Sequence, residues 1–267
     1  MKYHIDTIPV WDAYKAGHDC PMCALRDDNE GQLVELFLGE SVMEPDRRVE
    51  VNAKGFCARH LQMMFTAGNR LGLALMCHTH LKETITRFES ASATSASARR
   101  GLLGGLMRLN RQSQSVTQDA MEPPASSPNT TTSAASSISS PLASLSSRCV
   151  FCERLEYTIN RYLYTLIHLW RSDSEFRAKL SESRGLCMPH YAALLDMASH
   201  QLSGAAYNQF QSTLHEVQTR DLEKLEKDIE WFTLKFDYRN QNKPWGDSKD
   251  AVERVMNKLR GKCVSGE

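Results

Sequence analysis

The sequence predicts an all-α protein, built as a tandem duplication of a metal-clipped helical unit with a C-terminal helical extension. Apolar residues recur at helical spacing in both halves of the chain, strand signals are absent, and one cysteine–histidine pattern occurs twice. The first copy is Cys20-Pro21-Met22-Cys23 followed by Cys57-Ala58-Arg59-His60. The second is Cys149-Val150-Phe151-Cys152 followed by Cys187-Met188-Pro189-His190. Spacers of 33 and 34 residues separate the two motifs of each copy, and the pattern uses six of the eight cysteines.

In chain order, a helix is expected from Cys20 through Leu33, Leu36 and Leu38, followed by a break over Gly39 to Gly55, where Pro45 sits among charges. A second helix opens at Cys57 with Leu61, Met64 and Phe65 on one face, pauses at Gly68-Asn69 and resumes through Leu71, Leu75, Leu81 and Ile85. From Ser90 to Ser147, Ser, Ala, Thr and Pro dominate, a composition that buries too little apolar area to offset its ordering entropy. The apolar island Gly101 to Leu109 inside it carries three glycines, which argue against a stable helix. This gives a division into a first helical repeat (1–89), a disordered linker (90–147) and a second repeat with C-terminal helices (148–267).

After Cys152, Leu155, Ile159, Leu163 and Leu166 keep helical spacing, and Ser172-Asp173 supplies a stop and an N-cap for a short helix through Phe176 and Leu180. Gly185 breaks the chain before Cys187. A long helix from about Gly204 to Tyr238 carries Phe210, Leu214, Val217, Leu225, Ile229, Phe232 and Phe236 as its apolar stripe. Lys243-Pro244-Trp245-Gly246 reads as a turn, and Asp247 or Ser248 as the cap of a last helix through Leu259.

Each copy supplies three thiolates and one imidazole, the donor set of a closed tetrahedral metal site. Proline is favoured in a first helical turn and breaks a helix interior, so Pro21 and Pro189 place CPMC and CMPH at helix starts. There the helix dipole favours thiolate over thiol. Cys20, Cys23, Cys57 and His60 are thus expected to bind one ion, and Cys149, Cys152, Cys187 and His190 a second, each set closed by the hairpin between its two motifs. Two Zn2+ ions are the expectation; iron–sulfur clusters are the alternative, although clusters are usually held by four thiolates. A redox dithiol at CPMC is a third reading.

Cys77-His78-Thr79-His80 resembles a metal cluster, but lies inside an apolar helix with no second motif to pair with; packing roles are the simpler expectation. His18 beside Cys20 reads as a surface residue. The charged run from Asp46 to Lys54 reads as a solvated loop or a contact surface near the metal clip, and the charged turn around Trp245, with Lys235, Asp237, Arg239 and Lys243, as a C-terminal cap with Trp245 tucked against the helices or as a ligand or partner pocket. No phosphate loop, nucleophile elbow or HExxH motif is present, so no catalytic residue is assigned and enzyme activity stays open.

Lysine plus arginine and aspartate plus glutamate each number 32, which removes the field expected of a nucleic-acid or anionic-membrane binder. The N-terminus lacks a basic segment leading into an apolar one, and cytoplasmic residence is expected. CPMC, SVMEPDRRVEVNAKGFCARH, NRLGLALM and KFDYRNQNKPWGDSKDA together resemble a bacterial domain-of-unknown-function family of cytosolic helical proteins. That resemblance implies the duplicated helical fold and the eight ligand positions, and no substrate. Three functions follow as expectations: a metal-stabilised scaffold whose partner is another protein, an iron–sulfur or thiol redox protein, and an enzyme with its site between the repeats and structural metals.

Overall fold

The structure, a computed structural model, describes residues 5–109 and 148–263, with residues 91–109 described by their backbone alone. All the regular structure among them is helical. The helices are α1 (Thr7–Lys15), α2 (Pro21–Leu38), α3 (Pro45–Lys54), α4 (Ala58–Thr66), α5 (Arg70–Leu109), α6 (Val150–Ser172), α7 (Ser174–Glu182), α8 (Met188–Gln201), α9 (Gly204–Leu234) and α10 (Ala251–Arg260), with short 3-10 turns between some of them. No described helix is long and apolar enough to cross a membrane.

The chain divides into two compact units, and neither coincides with one sequence repeat. One unit comprises Met1–Gln32 and Arg154–Glu267, the other Leu33–Glu153. Both boundaries fall inside helices, α2 and α6.

In the first unit the core is filled by Val10, Tyr14, Met22, Leu163, Leu166, Phe176, Leu194, Phe210 and Leu214. Trp11 and Tyr14 hold α1 against Phe176 in edge-on contacts, with ring centroids 5.2 and 5.1 Å apart. Asp173 caps α7 as expected, its Oδ1 accepting from the N–H groups of Glu175 and Phe176 at 2.9 and 3.1 Å. The α9 stripe is buried at Phe210, Leu214, Val217 and Leu225.

In the second unit Phe37, Phe56 and Phe151 form a cluster of edge-on rings above Val51, Met64 and Met76. The charged run expected as a loop is the helix α3. Pro45 starts it, Asp46 lies near its positive end and Lys54 near its negative end, and Val51 is fully buried. Seen as charges the run looks solvated; one buried valine and an i,i+4 pair between Glu50 and Lys54 at 3.2 Å make it a packed helix.

Three further expectations are corrected. Residues 90–109, expected as the start of a disordered linker, continue α5; a helix already nucleated extends without a new nucleus, which carries it through Gly101, Gly104 and Gly105. Residues 110–147 of that expected linker lie outside the described residues. The α9 helix ends at Leu234, and Phe236 is 73% exposed where a core position was expected, because Lys235 takes the inward place. Finally, Asp247 and Ser248 sit in a 3-10 turn, and α10 begins after Asp250 without a side-chain cap bond.

Candidate metal centres

Each of the four motifs stands at a helix start. Cys20 precedes Pro21, the first residue of α2, and its carbonyl accepts from the N–H groups of Cys23 and Ala24 at 3.0 and 3.2 Å. Cys57 and Cys187 are the N-cap residues of α4 and α8. The pair Cys149 and Cys152 stands at the start of α6.

Two glycines set the approach to the CxxH motifs. Gly185 has φ 70°, and a Cβ there would lie 2.6 Å from Gln218 Oε1. Gly55 has φ 66°, and a Cβ there would lie 2.6 Å from His80 Nε2. Only glycine combines that backbone with that closeness. The Gly55 carbonyl then accepts from the Val150 N–H at 3.0 Å, which fastens the lead-in of Cys57 to the start of α6.

The eight predicted residues come together in two groups of four, but not in the expected groups. Cys20 and Cys23 meet Cys187 and His190; Cys57 and His60 meet Cys149 and Cys152. Each CxxC motif therefore faces the CxxH motif of the other repeat. Helix lengths give the reason. From Cys23 the chain runs out along α2, 18 residues rising about 27 Å, and returns only by the 10 residues of α3, about 15 Å. From Cys152 it runs out along the 23 residues of α6, about 35 Å, against 9 residues of α7, about 14 Å. Closure of a CxxH on its own CxxC calls for outbound and returning helices of matched length, which neither spacer holds.

Within each group the four ligand atoms lie within 4.8 Å of one another. In the first, His190 Nδ1 is 3.5 Å from Cys20 Sγ, 3.5 Å from Cys23 Sγ and 3.2 Å from Cys187 Sγ, and the Cys23 and Cys187 sulfurs are 3.6 Å apart. In the second, His60 Nδ1 is 3.1 Å from Cys57 Sγ, 3.2 Å from Cys149 Sγ and 3.6 Å from Cys152 Sγ, with Cys57 and Cys152 sulfurs 3.9 Å apart. A tetrahedron with metal–sulfur bonds of about 2.3 Å and a metal–nitrogen bond of about 2.0 Å has S···S edges of about 3.8 Å and S···N edges of about 3.5 Å. The residues fit a single tetrahedral ion at both places. They are too close together to sit on the separate irons of a multi-iron cluster, where each terminal ligand binds a different metal atom.

The electrostatics point the same way. Hydrogen bonds from the Cys187 and Cys20 thiols hold Cys23 well below the usual thiol range in spite of burial, while burial and then the Cys187 and Cys23 sulfurs push Cys20 well above it. Burial works against an imidazolium at His190, but the Cys187 and Cys23 sulfurs outweigh it and raise the group to about 9. At the second site burial opposes ionisation of Cys149, yet bonds from His60 and the backbone of Cys152 and Cys57 bring it down to about 6; burial and the Cys149 charge push Cys152 up to about 12. One thiolate forms readily at each place, at Cys23 and at Cys149, while Cys20 and Cys152 resist. A divalent cation would offset the charge of three thiolates brought to one point.

Of the remaining candidates, His80 and Trp245 take packing places, while Cys77, expected to pack, and His18 are exposed. His80 Nδ1 lies 3.2 Å from the Asn52 carbonyl and packs on Gly55, while Cys77 is exposed; neither belongs to a ligand group among the described residues. Trp245 rests against Phe232, centroids 5.7 Å apart, with Lys235 Nζ 5.1 Å from its ring. Lys235 belongs to the charged turn, but its burial was not expected: its ammonium donates to the carbonyls of Asn240, Gln241 and Lys243 at 2.8, 2.9 and 2.7 Å. A lysine between Phe232 and Phe236 on the apolar side of the helix was the available signal. His18 is exposed, yet it lines a cavity of 290 Å³ beside Cys20, Cys23 and Cys187.

No curated protein and no solved structure matches the chain. A family model does, over residues 1–266, and with its all-helical fold and paired cysteine–histidine groups the chain belongs to a family of unknown function, DUF6062.

Proposed function

We propose that this protein is a zinc-stabilised helical scaffold that presents its surface to a protein partner, with one Zn2+ held by Cys20, Cys23, Cys187 and His190 and a second by Cys57, His60, Cys149 and Cys152. The observation that carries the reading is the spacing of the donor atoms, which matches the edges of a four-coordinate ZnS₃N tetrahedron at both places. Zinc, rather than another divalent ion, suits three soft thiolates and an imidazole in a closed tetrahedral site. Such a site leaves no position for substrate water, which supports a structural role for the ions. The protein partner is supported by Leu81 and Ile85, one turn apart on α5 and exposed at 58% and 49%. The repeated motif is in this reading the trace of a duplication whose copies have exchanged half-sites.

Zinc content of paired substitutions tests the assignment. The parent protein should carry two zinc ions per chain. Cys23→Ser with His190→Asn removes two ligands of one site and should leave one ion; Cys23→Ser with His60→Asn removes one ligand from each and should leave none bound tightly. The reverse pattern would restore hairpin-closed sites, and stoichiometric iron with acid-labile sulfide would refute zinc.

A further inference from the structure

A closed four-ligand site is complete without an adjoining hollow, yet a cavity of 290 Å³ lies beside the first site. Three of that site's four ligand residues, Cys20, Cys23 and Cys187, line it. The end of α10 closes over them. Gly261 has φ 84°, and a Cβ there would lie 3.9 Å from Cys187 Sγ, so the backbone passes beside the sulfur. The next residue, Lys262, forms an ion pair with Asp27 of α2, and both line the cavity. Lys258, 4% exposed, anchors the same helix by pairing with Asp221 at 2.6 Å and donating to the Arg184 carbonyl at 2.6 Å.

Charge decides what such a hollow admits. Asp19, Asp27 and Asp28 set three carboxylates against the ammoniums of Lys258 and Lys262. A Zn2+ with three thiolates and a neutral imidazole adds a further net negative charge. The cavity therefore favours small cations and disfavours anions. Ligand exchange at four-coordinate zinc passes through a higher coordination number, and so needs an open approach to the ion.

We propose that this cavity is the passage by which the divalent ion of the first site enters and leaves, with the Lys262–Asp27 ion pair as a latch. The proposal rests on the zinc reading above. An arriving hydrated cation would meet the carboxylates first; Cys20, Cys23 and Cys187 would replace its waters as thiolates, their thiol protons passing to solvent, and His190 would complete the set. Release runs the same path in reverse and is eased when Lys262 swings away from Asp27.

The test is transfer of zinc from the full-length, two-zinc protein to an excess of a colorimetric chelator. Two kinetic phases of one ion each are expected. Lys262→Ala should speed one phase about two- to fivefold, the size expected for a partly exposed ion pair. Ala24→Leu, which enlarges a residue of the cavity wall that is not itself a ligand, should slow that same phase, and the other phase should keep its rate in both variants. Release of both ions in a single phase, or two phases indifferent to both substitutions, would overturn the passage. Absence of bound zinc in the purified protein would instead overturn the function proposed above.

Discussion

Gln218 of α9 and Leu186, the residue before Cys187, exchange two hydrogen bonds: the Leu186 N–H donates to Gln218 Oε1 at 3.1 Å, and Gln218 Nε2 donates to the Leu186 carbonyl at 2.8 Å. Both residues are buried. This amide pair holds the backbone that delivers Cys187 to the first site. Gln218→Leu leaves two buried backbone groups unpaired, and should cost about 2–4 kcal/mol in urea unfolding of the zinc-loaded protein. It should also weaken zinc retention at one site only.

Gly185→Ala acts on the same joint from the other side. It forces a Cβ to within 2.6 Å of Gln218 Oε1 on a backbone with positive φ. A loss of about 1–3 kcal/mol is expected. Unchanged thermal stability would show that the lead-in to Cys187 relaxes freely.

Lys235→Met should loosen the turn before α10. Three carbonyls lose a charged donor, and the Trp245 ring loses the ammonium beside it. A destabilisation of about 1.5–3 kcal/mol is expected, together with a change in tryptophan fluorescence. Lys243→Ala, whose own side chain is exposed, serves as the control and should stay within about 0.5 kcal/mol of the parent.

Zinc removal should unfold local structure around each helix start. Protons compete with zinc for thiolate and imidazole, so lowering the pH releases the ions, and stability follows zinc occupancy downward. Chelator at neutral pH should produce the same loss of helical signal as acid. Retention of full helicity and full cooperativity after chelation would show that the clips are dispensable.

His80→Ala and Cys77→Ser should leave zinc content at the parent value. His80 fills the space over Gly55, so its removal should cost about 1–2 kcal/mol through lost packing. The exposed Cys77 should be silent.

Much of the local structure was legible in residue types. Pro21 and Pro189 located ligands at helix starts because proline is tolerated in a first turn and nowhere later. Asp173 announced the α7 cap. The α3 helix was not legible as such, because a run dominated by charge hides the single buried Val51 that gives it a packed face. The burial of Lys235 was hidden for a related reason. It reads as one charge among several around the Trp245 turn, whereas its ammonium turns inward to three carbonyls that only the folded turn brings together.

The sequence by itself determined the all-helical class, the identity of eight candidate ligands and their place at helix N-termini, since these follow from local propensity and from the chemistry of thiol and imidazole. Which candidate ligands come together was decided only by the tertiary structure. Spacers of 33 and 34 residues made hairpin closure look natural, but each spacer holds one long helix and shorter ones, unmatched for such closure. The geometry of rigid helices, not proximity in sequence, made the pairs Cys20/Cys23 with Cys187/His190 and Cys57/His60 with Cys149/Cys152.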